Sequence, residues 1–335
     1  MLLKKERLQD LLDALARDAQ LYIPKHVDGV TRYALYTSED EPAFEVVNTV
    51  MPPKDLLFPQ TQKMYRFGFD SEGTAFIDPC HDDDRMVLFG VRSCDMRSIE
   101  CMDDVFLSKG YVDDFYAARR AGLLTVAMAC TAPAPTCFCD SMGLEATHAP
   151  GADIQLTGGP SVWAVAAQTQ KGIEALVSWE PFLEEGELPA TLAAPVSCSL
   201  AVNIVGVREK LEHMYEHPIW EKLADKCLTC GTCTYLCPTC HCFDISQENR
   251  AQEGLRFRCW DSCMFSEYTQ MAGGHNPRPS KEERVRNRFM HKLCFFEDRY
   301  GKMLCVGCGR CVEKCPVAVD ITCLIDEIGA CDVAR

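Results

Sequence analysis

Four leucines near the start of the chain, Leu8, Leu11, Leu12 and Leu15, fall at i, i+3, i+4 and i+7 with polar residues between them. That stripe predicts a one-sided helix packed against a core. Downstream the pattern changes to short, nearly continuous apolar runs. Met86 to Val91, Leu123 to Ala129 and Ile154 to Thr157 have the length of buried strands. A helical segment from about Asp95 to Leu107 separates the first two, and strand–helix–strand order favours a parallel pair with a right-handed crossover. The Pro- and Glu-rich stretch Trp179 to Pro195 reads as loop. After Val205 the pattern becomes helical. Gly206 to Glu216 forms one helical stretch, and His217-Pro218 starts a short helix that leads into Cys227. Ser280 and Glu283 form a capping box ahead of Val285, Phe289, Leu293 and Phe296 at helical spacing. The expected architecture is an α/β domain over residues 1–205 followed by a mostly α-helical domain over residues 206–335.

Composition narrows the chemistry. The chain has 335 residues, of which 47% are hydrophobic, so a core can form without staples, yet 22 are cysteines. Met1 to Arg17 alternates charge and leucine and has no apolar signal region, so a disulfide framework is not expected. Metal ligation in a reducing, cytoplasmic setting is the natural use of so many thiols. No stretch reaches the roughly 20 apolar residues that span a bilayer, so direct membrane insertion is not expected. A net charge of -15 argues against nucleic acid, which needs a basic footprint. One segment departs from that trend: Arg256 to Lys302 holds ten Lys or Arg against six Asp or Glu. Arg284, Arg288 and Lys292 share one helical face there. The segment is either a solvated loop and helix face, or a patch that offsets the negative charge of metal–thiolate centres or docks an acidic partner; the face of Arg284, Arg288 and Lys292 is expected to dock or steer such a partner.

The strongest signal is a repeated C-x2-C-x2-C-x3-C-P run: Cys227, Cys230, Cys233, Cys237, Pro238, and again Cys305, Cys308, Cys311, Cys315, Pro316. This is the ligand spacing of bacterial two-cluster ferredoxins, in which three thiolates hold one [4Fe-4S] cluster and the fourth reaches the other. Zinc ribbons use separated C-x2-C pairs and give no reason for such a repeat. The expected ligand sets are therefore crossed: Cys227, Cys230, Cys233 and Cys315 for one cluster, and Cys305, Cys308, Cys311 and Cys237 for the other. The second half is then a ferredoxin-like two-cluster domain. The long insertion between the runs predicts clusters carried between helices rather than in a small β-rich core.

A further set lies in the first half. Cys94 directly follows the run Met86 to Val91, and Cys130 directly follows Leu123 to Ala129, with Cys137 and Cys139 just beyond. If the two strands are parallel neighbours, their carboxyl ends bring these thiols to one sheet edge, where α/β proteins bind ligands. A third [4Fe-4S] cluster on Cys94, Cys130, Cys137 and Cys139 is expected; the alternative is buried thiols that act as small hydrophobes. Cys240, Cys242, Cys259 and Cys263 read as packing, or as shields or spare ligands near the runs. Cys80-His81, Cys101, Cys198, Cys294, Cys323 and Cys331 have no recognisable partner. There is no Gly-rich dinucleotide fingerprint, P-loop, nucleophile elbow or His-Glu-x-x-His, and no catalytic residue is assigned.

Six segments carry a family resemblance: Gly90 to Asp95, Cys137 to Gly143, Cys237 to Ile245, Arg258 to Cys263, Met271 to Arg278 and Cys305 to Cys311. They resemble a family of iron–sulfur electron-transfer proteins that includes the dicluster subunit of anaerobic sulfite reductase, together with the beta subunit of cytoplasmic sulfhydrogenases. The versions Trp260-Asp-Ser-Cys263 and Gly273-Gly-His-Asn-Pro-Arg278 are more similar to the sulfhydrogenase group. The resemblance implies a hetero-oligomeric anaerobic oxidoreductase in which this chain relays electrons. It would do so between an FAD-containing, NAD(P)H-reactive partner and a catalytic redox subunit of hydrogenase, sulfite reductase or heterodisulfide-linked bifurcating type. Two other readings differ in class: a cluster enzyme acting directly on a sulfur or disulfide substrate, and a redox sensor.

Overall fold

The segment Met86–Val91 is buried along its whole length, as a strand covered on both faces must be. Its side chains alternate: Met86 and Leu88 enter one apolar core, Val87 and Phe89 the other. In the computed structural model, which describes residues 1–80, 84–159, 161–189, 192 and 194–331, this strand lies inside an eight-stranded sheet.

The strands described are β1 (Leu2–Lys4), β2 (Gln20–Val27), β3 (Val30–Leu35), β4 (Thr61–Phe69), β5 (Ala75–Pro79), β6 (Met86–Val91), β7 (Leu123–Met128), β8 (Ile154–Gly159), β9 (Val162–Ala167), β10 (Leu183–Glu184), β11 (Phe243–Arg250) and β12 (Glu253–Trp260). The large sheet runs β10-β1-β9-β8-β7-β6-β2-β3, and its centre is parallel: β6 pairs in parallel with β2 and β7, and β7 with β8. The helix Lys5–Asp18 buries Leu8, Leu11 and Leu12 on one face. The helix Ser93–Leu107 covers the other with Met96, Ile99 and Met102. The expected strand, helix and strand are thus present, with a second helix, Asp114–Gly122, added before β7. In the expected loop Trp179 to Pro195, Leu183 and Glu184 pair with β1 as a short edge strand; residues 190, 191 and 193 lie outside the described residues, as does His81.

The second half differs from a mostly helical expectation. Its insertion carries the hairpin β11–β12, and β12 pairs antiparallel with β4, so the four-stranded sheet β11-β12-β4-β5 draws strands from both halves. The polar, exposed residues of β11 hide its strand character. The turn gives no glycine signal either, because Ala251 takes the positive φ of 49°. Apart from this sheet, the helices Val207–Glu212, Ile219–Lys226, Lys281–Met290 and Ile321–Ala330 enclose a core of their own, with Trp220 buried and its indole N–H donating to the Met214 carbonyl at 2.7 Å. The Ser280 capping box is present, and the helix it starts widens into a π turn at His291–Phe295 before Phe296–Tyr300. No helix among the described residues is long and apolar enough to cross a membrane.

Three buried cations tie the halves together. Arg310 makes a two-pronged pair with Asp95, at 2.7 and 2.9 Å, and donates to the Thr49 carbonyl. Lys54 donates to the Thr234 and Cys240 carbonyls and lies 4.1 Å from the Trp260 ring centre. Arg258 donates to Gln62 at 2.8 Å and to Asp113 at 3.2 Å, while Phe58 faces the guanidinium at 5.1 Å. Asp113 also caps the helix Asp114–Gly122 by accepting from the Tyr116 amide. Asp113→Ala leaves a buried guanidinium without its carboxylate and is expected to cost about 3–5 kcal/mol. Asp113→Asn keeps an acceptor for the cap and is expected to cost less. Urea unfolding of the iron-loaded chain measures both, and an unchanged midpoint in the alanine variant would refute the role given to this pair.

Candidate metal centres

Each of the two cysteine runs folds in the same way. Gly231 and Gly309, both with φ of 75°, precede the short helices Thr232–Tyr235 and Arg310–Glu313, which hold Cys233 and Cys311 and lead on to Cys237 and Cys315. The glycines also permit close approach. A side chain at Gly307 would meet the backbone of Cys139 at 2.6 Å, and one at Gly309 the Thr136 carbonyl at 2.4 Å. The second run therefore presses directly on the Cys137–Cys139 loop, and the Phe138 amide donates to the Gly307 carbonyl at 2.8 Å.

Three cysteine-lined cavities result. Cys227, Cys230, Cys233 and Cys315 line the first, together with Met264, Val285, Phe289 and Arg288. Cys237, Cys305, Cys308 and Cys311 line the second, with Phe138, Lys292 and Ile321. Each thus combines three cysteines of one run with the fourth of the other. Cys94, Cys130, Cys137 and Cys139 line the third, at the carboxyl ends of β6 and β7. Its walls include Asn48, Arg92 and Cys308. Cys308 belongs to the second and third cavities alike. Its carbonyl accepts from the Asn48 amide at 2.7 Å, and the same amide nitrogen lies 3.3 Å from the Cys137 sulfur.

The surroundings of these thiols favour negative charge. Backbone amides point at the ligand sulfurs: Thr229 N–H at Cys227, 3.3 Å, and Val319 N–H at Cys315, 3.2 Å. The Lys292 ammonium, fully buried at the π turn, lies 3.1 Å from the Cys237 sulfur and 3.0 Å from the Thr239 hydroxyl. A hydrogen bond from Cys240, assisted by Lys292 and Thr239, holds the Cys237 thiol well below its usual range although burial opposes it. Arg288 is buried against Cys233 and Cys311, whose charges hold it protonated against the cost of burial. Elsewhere burial prevails and pushes the Cys305 and Cys308 thiols up to about 12. Thiolates form there only with a compensating positive charge, which a bound metal supplies.

Those cations correct one expectation. Arg284, Arg288 and Lys292 do share a face, but all three are buried, so they offer no docking surface. Arg284 donates to the Arg278 and Pro279 carbonyls, and the other two face cysteines. For Arg288 and Lys292 sulfur takes the place of solvent as the counter-charge. Lys54 faces the same sulfurs, Cys240 and Cys237. Among the described residues no carboxylate forms an ion pair with Lys54, Arg288 or Lys292. Three buried cations without carboxylates are costly unless an anion lies between them. That donor set fits anionic iron–sulfur clusters.

Of the remaining cysteines, Cys242 and Cys263 face each other beside Tyr268, and Cys101 is packed in an apolar cluster with Phe296 and Leu304. Cys198, which has no partner legible in the sequence, lies 3.5 Å from Cys139. Asn48 is unmarked in the sequence, and Arg92 and Phe138 fall within resembling segments without an assigned role; the fold brings all three to the cavities.

The paired runs and their enclosed cavities define an iron–sulfur protein, and the sequence model of the 4Fe-4S dicluster domain matches residues 226–319, which include both runs. Over nearly its whole length the chain is 32% identical to the sulfhydrogenase 2 subunit beta of Pyrococcus furiosus, a match of 336 residues that spans 97% of each. It belongs to the family of these iron–sulfur beta subunits. No solved structure matches it.

The isolated cation at the second cavity has a signature of its own. Lys292→Met is expected to stabilise the iron-free protein by about 1–4 kcal/mol, since it removes a buried charge, and to destabilise the iron-loaded form. Melting curves of both forms give the two signs. Equal shifts in the same direction would mean that Lys292 is not balanced by the metal centre.

Proposed function

We propose that this chain is the electron-relaying iron–sulfur subunit of a cytoplasmic, multi-subunit oxidoreductase of hydrogenase type. The observation that carries this reading is the series of three four-cysteine cavities that adjoin one another. Arg288 lies against Cys233 of the first and Cys311 of the second, and Cys308 is a wall common to the second and third. A [4Fe-4S] cluster supplies one-electron chemistry over a wide range of potentials set by charge and by hydrogen bonds to its sulfurs. The residues of this chain do the rest. Cys227, Cys230, Cys233 and Cys315 hold the first cluster, Cys305, Cys308, Cys311 and Cys237 the second, and Cys94, Cys130, Cys137 and Cys139 a third. Lys292 and the backbone amides stabilise charge on the ligands, while Phe138, Val285, Phe289 and Ile321 exclude water.

The first centre is the open end of the series, since Cys230 is exposed and Leu228 beside it is 61% exposed. At the third, Cys94, Cys130 and Cys139 are buried against Ala146 and Val306. The name of the Pyrococcus relative, subunit beta of a sulfhydrogenase, supports a complex with further subunits. We assign one of them to electron transfer with FAD and NAD(P)H, while another is the catalytic redox subunit.

Iron and acid-labile sulfide are each expected near about twelve per chain after anoxic reconstitution; a firm value near eight would remove the third centre. If ligation crosses between the runs, Cys315→Ser damages the first cluster and Cys311→Ser the second. Spectra of the reduced variants separate these cases, and loss of the same cluster in both would contradict the crossing. The purified chain is expected to be reducible yet inactive alone, oxidising NADH only with a flavin subunit, and turning over hydrogen or sulfite only with a catalytic one. Stepwise reconstitution followed by cluster bleaching tests this, and turnover of any of these substrates by the single chain would overturn the relay reading.

A further inference from the structure

One more thiol lies beside the third cavity, whose lining cysteines are Cys94, Cys130, Cys137, Cys139 and Cys308. Cys198 arrives on a segment held against the Cys139–Ser141 turn by two hydrogen bonds: its own amide donates to the Asp140 carboxylate at 2.6 Å, and the Val202 amide donates to the Ser141 hydroxyl at 3.0 Å. This clamp places the Cys198 sulfur 3.5 Å from that of Cys139. Cys139, Asp140 and Cys198 are also the one group of three potential metal ligands among the described residues whose donor atoms all lie within 4.8 Å of one another.

The spacing of the two sulfurs decides what Cys198 can do. Two sulfurs bound to one tetrahedral metal at about 2.3 Å stand roughly 3.8 Å apart. Cys139 and Cys198 are already at such a separation, too close to serve two different irons of a cubic cluster while Cys94, Cys130 and Cys137 hold the other three. Each iron of a [4Fe-4S] cluster takes one protein thiolate. With Cys308 given to the second centre, Cys94, Cys130, Cys137 and one member of this close pair supply the four irons, and the other member is in reserve.

We propose that Cys198 is an exchangeable ligand of the third centre, able to replace Cys139 on the same iron. The inference rests on the three-cluster reading above. In the exchange one iron–sulfur bond forms as another breaks, and the proton leaving the incoming thiol passes to the outgoing thiolate. No electron is gained or lost. The two sulfurs already lie within hydrogen-bonding distance of each other, so a proton has a direct path between them. Asp140, which pins the Cys198 backbone, is a positioning residue.

The test compares anoxically reconstituted wild type with Cys139→Ala, Cys198→Ala and the double variant, by iron content, by the spectrum of the reduced clusters and by labelling with iodoacetamide. The wild type and both single variants are expected to hold about twelve iron, and the double variant about eight. Cys139→Ala should show a changed signal for one cluster. Cys198 should be alkylated in the loaded wild type and protected in loaded Cys139→Ala. A Cys139→Ala variant that holds about eight iron and leaves Cys198 open to alkylation overturns the proposal, as does a double variant that still holds about twelve. A wild type with about eight iron would instead sink the three-cluster reading, and this inference with it.

Discussion

The structure depends on placing positive charge inside the protein opposite sulfur. Lys54, Arg288 and Lys292 are buried, and the groups that face them are sulfurs, among them those of Cys237 and Cys240. Burial of an unpaired ammonium or guanidinium costs several kcal/mol, so the fold around these residues is stable only with anionic sulfur in place. This constraint explains why a helix with so basic a face lies in the middle of an acidic molecule instead of on its surface. It also explains the π turn at His291–Phe295, where the helix carries Lys292 to the Cys237 sulfur. Folding and metal loading are therefore coupled in this half of the chain.

The two halves are joined by the same kind of interaction with a different counter-charge. Arg310, next to Cys311 in sequence, reaches across to Asp95, next to Cys94, so the second run is locked to the carboxyl end of β6 by a fully buried pair. The contact of Gly307 and Gly309 with the Thr136–Cys139 backbone adds a steric condition, since a Cβ at either position would force the two loops apart. Asn48 completes the joint by bonding to both sides of it. The third cavity is consequently not a feature of the α/β half alone, because part of its wall is Cys308.

Much of this was legible wherever a local rule and the tertiary outcome coincide. The leucine stripe of Lys5–Asp18, the buried strands Met86–Val91 and Leu123–Met128, and the capping box at Ser280 each satisfy their own rule within a few residues. The grouping of Cys315 with the first run and Cys237 with the second follows from spacing alone. What escaped depends on distant partners. The strand Phe243–Arg250 is polar and exposed, so it has no periodic signal and exists because β12 pairs with both it and β4. The inward orientation of Arg284, Arg288 and Lys292 inverts the rule that such side chains stay in water, and only their distant partners, carbonyls for Arg284 and cysteines for the other two, reveal the reason. Asn48 and Cys198 carry no motif at all, since their neighbours lie in other parts of the sequence.

The first cavity is lined by Cys227, Cys230 and Cys233, but its fourth cysteine is Cys315, and the second likewise draws Cys237 from the earlier run. During synthesis the early run emerges from the ribosome long before its partner, so neither enclosure can close until almost all of this sequence has been translated. Three thiols of an incomplete site then wait in the open, exposed to oxidants and to competing metals. A cell making this protein gains from keeping that interval short or anoxic and from delivering preassembled iron and sulfide after, rather than during, translation.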